Sequence, residues 1–95
     1  MDKKETYVAK LEEQLKEWGI HLDELRTKSG KVKVELKSEY DKDMKILHSK
    51  YEETKKRTLE LKQSSAEAWK ELSSGMDKAG KELGSGIKNA LDKFK

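Results

Sequence analysis

Apolar side chains recur at alternating steps of three and four along the first quarter of this chain: Val8, Leu11, Leu15, Trp18, Leu22 and Leu25. Only an α-helix brings residues three and four apart onto one face, so this spacing fixes the element type before any composition is considered. The same alternation is the heptad seam of a coiled coil. It runs on through Ser29 and Val32 to Leu36. Tyr40 and Met44 then follow as two successive steps of four, a stutter that locally unwinds a left-handed supercoil. The seam resumes with Leu47, Tyr51, Thr54, Thr58 and Leu61. The two threonines make residues 48–58 its weakest stretch.

Nothing in the composition opposes a long helix. There is no proline in the 95 residues, and proline is the residue that most strongly forbids helix continuation. Only 33% of residues are hydrophobic and 43% are charged, enough apolar surface to line a long seam but not to build a thick core. Carboxylates and lysines or arginines stand four apart at Glu12–Lys16, Glu24–Lys28, Asp41–Lys45, Glu52–Lys56 and Glu53–Arg57, each pair supporting a helix by a few tenths of a kcal/mol.

Three places compete with continuity. Gly19 costs about 1 kcal/mol relative to alanine but sits inside good periodicity. The stretch TKSGK, Thr27 to Lys31, has the composition of a turn, with Gly30 as a left-handed C-terminal cap. The stretch QSSAE, Gln63 to Glu67, reads as a helix start, with Ser64 and Glu67 at capping-box spacing. Because the seam keeps its phase across both places, the expected fold is all-α. It has a long coiled-coil helix over 1–63, hinged at 29–30, followed by an amphipathic C-terminal helix over 64–95. The alternative is a three-helix bundle with turns near 29–30 and 64–65.

The C-terminal part has its own period. Ala68, Lys70, Glu71, Leu72, Ser74 and Gly75 recur eleven places on as Ala79, Lys81, Glu82, Leu83, Ser85 and Gly86. Eleven residues are almost three whole turns, so Ala68, Leu72, Met76, Ala79, Leu83, Ile87, Ala90 and Phe94 form a nearly straight stripe. Trp69 and Leu91 widen it. Gly75 and Gly86 lie beside it and would admit a close neighbour. The stripe suits packing on another helix or lying in the surface of a lipid layer.

The charged residues exclude more than they suggest. The net charge is +3, and both signs are interspersed; residues 1–40 hold nine of each. No basic stripe of the kind that binds nucleic acid emerges. The absence of cysteine removes disulfides, thiolate nucleophiles and thiolate metal sites. His21 and His48 are 27 positions apart, and His48 with Glu52 at i,i+4 supplies two ligands at most, short of a metal site. GSGIK, Gly84 to Lys88, lacks the spacing of a phosphate loop. A thin helical chain also offers no desolvated cleft in which a carboxylate would acquire catalytic pKa tuning. The expectation is a non-enzymatic protein that needs no metal or other cofactor.

The segments KKETYVAKLEEQLKEW, SEYDKDMKILHSKYEE and SSAEAWKELSSGMDKAGKELGSGIKNALDKFK together resemble a family of short bacterial coiled-coil proteins described as stress-response proteins. The chain departs from that pattern at Gly19, at Gly30 and in its glycine-rich tail. The resemblance implies a cytoplasmic, helical, non-enzymatic protein linked to stress, and it carries no catalytic residues.

From the residues themselves, the expected role is self-association, a homo-oligomeric scaffold. Its anchors would be Leu11, Leu15, Trp18, Leu22, Leu25, Leu36, Leu47, Leu61, Trp69, Leu72, Met76, Leu83, Ile87 and Phe94. The alternative is reversible binding of residues 66–95 to a membrane surface or to exposed apolar protein surface. Nucleic acid is the least favoured partner. MDKKETYVAK, at the start, has no apolar signal core, which points to the cytoplasm.

Overall fold

The computed structural model describes residues 3–94. Helix α1 spans Lys3–Thr27, a short 3-10 turn spans Ser29–Lys31, α2 spans Val34–Gln63 and α3 spans Ala68–Lys93. The described residues contain no strand. The all-α class expected from the seam is therefore the one observed, in its bundle form. The principal extents are 50 × 19 × 16 Å, whereas a continuous helix from residue 3 to residue 63 would be about 90 Å long. Both places with turn composition do turn, so the continuous 1–63 helix gives way to an antiparallel hairpin. Residues 64–95 do not stand apart from it, because α3 packs into the same core.

The reason is the seam itself. A single charged helix leaves its apolar stripe in water, and most helical stability comes from covering that stripe. Folding back covers the stripe within one chain. Along α1 the buried positions are Val8, Leu11, Leu15, Leu22 and Leu25, and along α2 they are Tyr40, Leu47, Thr54, Thr58 and Leu61. Every one belongs to the expected seam. Tyr40, in the stutter, donates its hydroxyl to the Leu25 carbonyl and packs edge-on against Phe94, with ring centroids 5.2 Å apart.

The core has two apolar halves. The larger gathers Leu22, Leu25, Tyr40, Leu47, Leu83, Ile87, Ala90 and Phe94 at the end holding the first turn. The smaller gathers Val8, Leu11, Leu61 and Met76 at the other end, with Tyr7 and Trp69 against it. Thr54 and Thr58 lie between the two along α2, buried, each donating its hydroxyl to the carbonyl four residues back. That bond lets a hydroxyl enter a core without losing a partner.

The turns are made differently from what their composition suggests. Gly30 is no left-handed cap, since no described residue has a positive φ. The first turn consists of helical or 3-10 backbone up to Lys31, followed by extended Val32 and Lys33. At the second turn Ser64 closes α2 instead of opening α3, its hydroxyl donating to the Leu61 carbonyl at 2.7 Å. Ser65 does the opening. Its hydroxyl accepts from the Ala68 N–H and its carbonyl accepts from the Trp69 N–H, both at 3.2 Å. Ser64 and Glu67 thus form no capping box, because the backbone leaves α2 one residue later than the spacing implies. Of the expected i,i+4 ion pairs, Glu53 and Arg57 meet at 2.8 Å, while Glu12 reaches across to Lys62 at 3.9 Å.

Candidate functional site

The feature that distinguishes α3 is how it is seated. In its middle it meets α1 through glycine. Trp18 lies over Gly80 and Gly84, one helical turn apart, with ring carbons 3.5 Å from where a Cβ would stand on either. On the α2 side Gly86 faces Leu47, whose methyl lies only 2.8 Å from a Cβ position. Small residues thus let a tryptophan and a leucine lie on the α3 backbone. The same glycines lower the intrinsic helicity of α3 by about 1 kcal/mol each, so its order depends on what it packs against.

Polar contacts fasten the two ends. Near the start of α3, the Tyr7 hydroxyl donates to the Asp77 carboxylate at 2.5 Å and lies 3.0 Å from the Ser73 carbonyl. Burial first, then the hydrogen bond to Asp77 and its charge, push the Tyr7 phenol well above its ordinary value. Near the end of α3, the Lys93 ammonium contacts Glu39 and lies 3.4 Å from Asp43 on α2. Hydrogen bonding to Glu39 is the main influence raising the Lys93 ammonium above its usual range, opposed by partial desolvation. The contact between Tyr7 and Asp77 and that between Lys93 and Glu39 both lie at the solvent-exposed surface, where water screens them.

Of the fourteen expected self-association anchors, Leu11, Leu15, Leu22, Leu25, Leu47, Leu61, Met76, Leu83, Ile87 and Phe94 are buried. Trp18, Leu36 and Trp69 are half-buried. These thirteen converge on the inside of one chain and present no free seam to a second copy. Leu72 is the exception, 40% exposed. At the start of α3 the buried face follows Trp69, Ser73 and Met76, with Trp69 stacked obliquely on Tyr7 at 6.1 Å between ring centroids. Ala68 and Leu72, one position earlier, are turned out. The eleven-residue stripe is therefore only partly used by the bundle.

Gly80 and Gly84 as the Trp18 seat were not singled out by the repeat, which pointed to Gly75 and Gly86. Their i,i+4 spacing was the available signal. Gly75 has only the Arg57 guanidinium within reach, at 4.0 Å.

Elsewhere an open groove of about 560 Å³ lies between α1 and α2. Leu15, Tyr51, Thr58 and Leu59 contribute apolar surface, and Lys16, Lys55, Lys56 and Lys62 alternate with Glu12 and Glu52. His48 accepts a hydrogen bond from the Arg26 guanidinium at 2.8 Å, and His21 lies 3.8 Å from Glu24. Among the described residues no group of three or more histidine, aspartate or glutamate side chains is placed to hold a metal ion. No described helix is long and apolar enough to cross a membrane.

Comparison with protein-family models, with characterised proteins and with solved structures finds no match. The stress-linked role implied by the resemblance thus gains no support from relatives.

Proposed function

We propose that the chain is a non-enzymatic cytoplasmic binding protein whose third helix leaves the bundle and lies on a lipid surface. The observation that carries this is the seat of α3. An amphipathic helix of 26 residues buries Met76, Leu83, Ile87 and Ala90 in the core and sets glycines against Trp18 and Leu47, while part of its apolar stripe, Leu72, already faces water. A stripe with an eleven-residue period winds only slightly about the helix, so on a flat layer Ala68, Leu72, Met76, Ala79, Leu83, Ile87, Ala90 and Phe94 all lie on the side that faces it. In the lipid the helix exchanges a protein core for acyl chains, which keeps its apolar side chains covered. Residues 66–95 carry six basic and five acidic groups, so insertion of apolar surface, rather than attraction to anionic headgroups, drives binding. A stress-linked role is compatible with such a reversible response.

The test uses the full chain with vesicles of phosphatidylcholine, alone or mixed with phosphatidylglycerol. Binding should shift Trp69 emission to the blue in a Trp18→Phe background and change little with salt. Leu72→Ser should weaken binding while leaving the melting temperature of the free protein unchanged. Absence of co-sedimentation and of any emission change with both vesicle types would sink the lipid reading.

A further inference from the structure

We propose that the chain also forms a domain-swapped dimer, in which the turn between α1 and α2 straightens and each copy's α1 takes the place of its partner's. This goes beyond lipid binding and does not depend on it.

Six residues separate the two helices, and only the last two of them are extended. Lys28 is helical, with φ −84° and ψ −4°, and the Lys31 N–H bonds to the Lys28 carbonyl at 2.9 Å. Only Val32, at φ −71° and ψ 134°, and Lys33, at φ −60° and ψ 144°, are extended. Their φ values already suit a helix. Rotation of the Val32 and Lys33 ψ angles, with the 3-10 turn at 28–31 relaxing to α-helical backbone, therefore joins α1 to α2, with no glycine in a left-handed conformation to undo. The bent form is held there by the Lys37 ammonium, which donates to the Ser29 carbonyl at 3.0 Å, and by Val32 and Leu36 packed against the larger cluster, but not by a cap. Lys33 makes no side-chain cap for α2, and Gly30 has nothing within 4 Å of a Cβ position. Straightening also supplies helical acceptors to the first N–H groups of α2.

The sequence is in phase for the joined helix. Leu22, Leu25, Ser29, Val32 and Leu36 keep the three–four alternation through the turn, so the straight form carries one unbroken stripe about 90 Å long. Where two such helices cross antiparallel, Val32 and Leu36 of each copy meet their counterparts. The occupant is a second copy because the vacated place fits α1 itself. Tyr51 closes on Gly19, with its hydroxyl 3.0 Å from a Cβ position, and Gly80 with Gly84 receives Trp18. The swapped form repeats every closed contact outside the turn, so the turn and the protein concentration set the balance.

Refolding from denaturant at millimolar and at low micromolar concentration, followed by gel filtration with light scattering, reads the outcome. A species of twice the 11.0 kDa chain mass is expected from the concentrated sample, persisting after dilution because exchange requires α1 to leave its seat. Lys33→Pro suits the bent form, in which Lys33 has the proline φ and Val32 before it is extended. It should lower the dimerisation constant at least about 100-fold, since proline breaks the joined helix. A readout independent of that variant comes from Glu12→Cys with Lys62→Cys, which face each other in a chain that has no other cysteine. A short bismaleimide should link them within one chain in the monomer fraction and between two chains in the dimer fraction. A mass of one chain after refolding at millimolar concentration overturns the swap. So do links confined within single chains of the dimer.

Discussion

Gly80 and Gly84 give the sharpest quantitative test of the α3 seat. A Cβ at either position would stand 3.5 Å from the Trp18 ring, an ordinary van der Waals contact, so alanine enters without displacing anything. What remains is the helix propensity, about 1 kcal/mol in favour of alanine at each site. In a domain of this size 1 kcal/mol corresponds to a rise of about 4–8 °C in melting temperature. Gly80→Ala and Gly84→Ala should each show it, and the double variant should fall short of the sum because both touch the same ring. Gly86→Ala is the internal control. There the Cβ would come to 2.8 Å from a Leu47 methyl, and Leu47 is itself buried. Repacking costs about 1–3 kcal/mol, enough to cancel or reverse the same propensity gain. Thermal melts by circular dichroism at 222 nm, with urea titrations for the free energies, separate the cases. A lower melting temperature for both Gly80→Ala and Gly84→Ala would refute the Trp18 geometry, and a full propensity gain at Gly86→Ala would refute the Leu47 contact.

Two further outcomes follow from burial and protonation. Leu83→Ala, at a position with no exposed surface, should cost about 2–5 kcal/mol, whereas Leu72→Ala should stay within about 0.5 kcal/mol; comparable urea midpoints for the two would contradict the placement of the stripe. The Tyr7 phenol, the Tyr40 phenol and the Lys93 ammonium all hold their protons more tightly in the bundle than their ordinary values of 10.0, 10.0 and 10.5. Their contribution is complete below about pH 10 and is lost as the pH climbs past the unfolded-state values. Tyr7→Phe should cost about 1 kcal/mol at pH 7 and flatten the fall in melting temperature between pH 9 and 11; an unchanged slope would mean that Tyr7 titrates alike in both states.

Periodicity made the inside of this molecule legible. Val8 to Leu61 were ordered correctly along two helices, down to Thr54 and Thr58, because a three–four repeat specifies a face whatever covers it. It could not say what would cover it. A seam in phase across Ser29 and Gly30 serves a straight helix meeting another chain and a hairpin meeting itself equally well, and the difference lies in the ψ of Val32 and Lys33. Those residues have no strong local preference. The repeat could not say how much of its stripe the bundle would cover: it describes a straight stripe that includes Leu72, while at the start of α3 the bundle selects the heptad-like set Trp69, Ser73, Met76. Ser64 and Ser65 were equivalent as cap candidates in sequence, and only the exit of α2 distinguished them. The Trp18 seat joins residues more than sixty positions apart, beyond the reach of any local pattern.

The threonine pair in the middle of α2 gives the bundle a direction. Hydroxyls at Thr54 and Thr58 separate the small apolar cluster of Val8, Leu11, Leu61 and Met76 from the larger one built on Leu25, Leu83 and Phe94. Less apolar surface binds the end with the Ser64–Ser65 turn, so opening begins there and travels toward Phe94. Helix α3 therefore peels from its own N-terminus, and the segment freed first is the one bearing Trp69 and Leu72. The bundle behaves as a zipper with one weak end, and that end carries the apolar residues a surface would meet first.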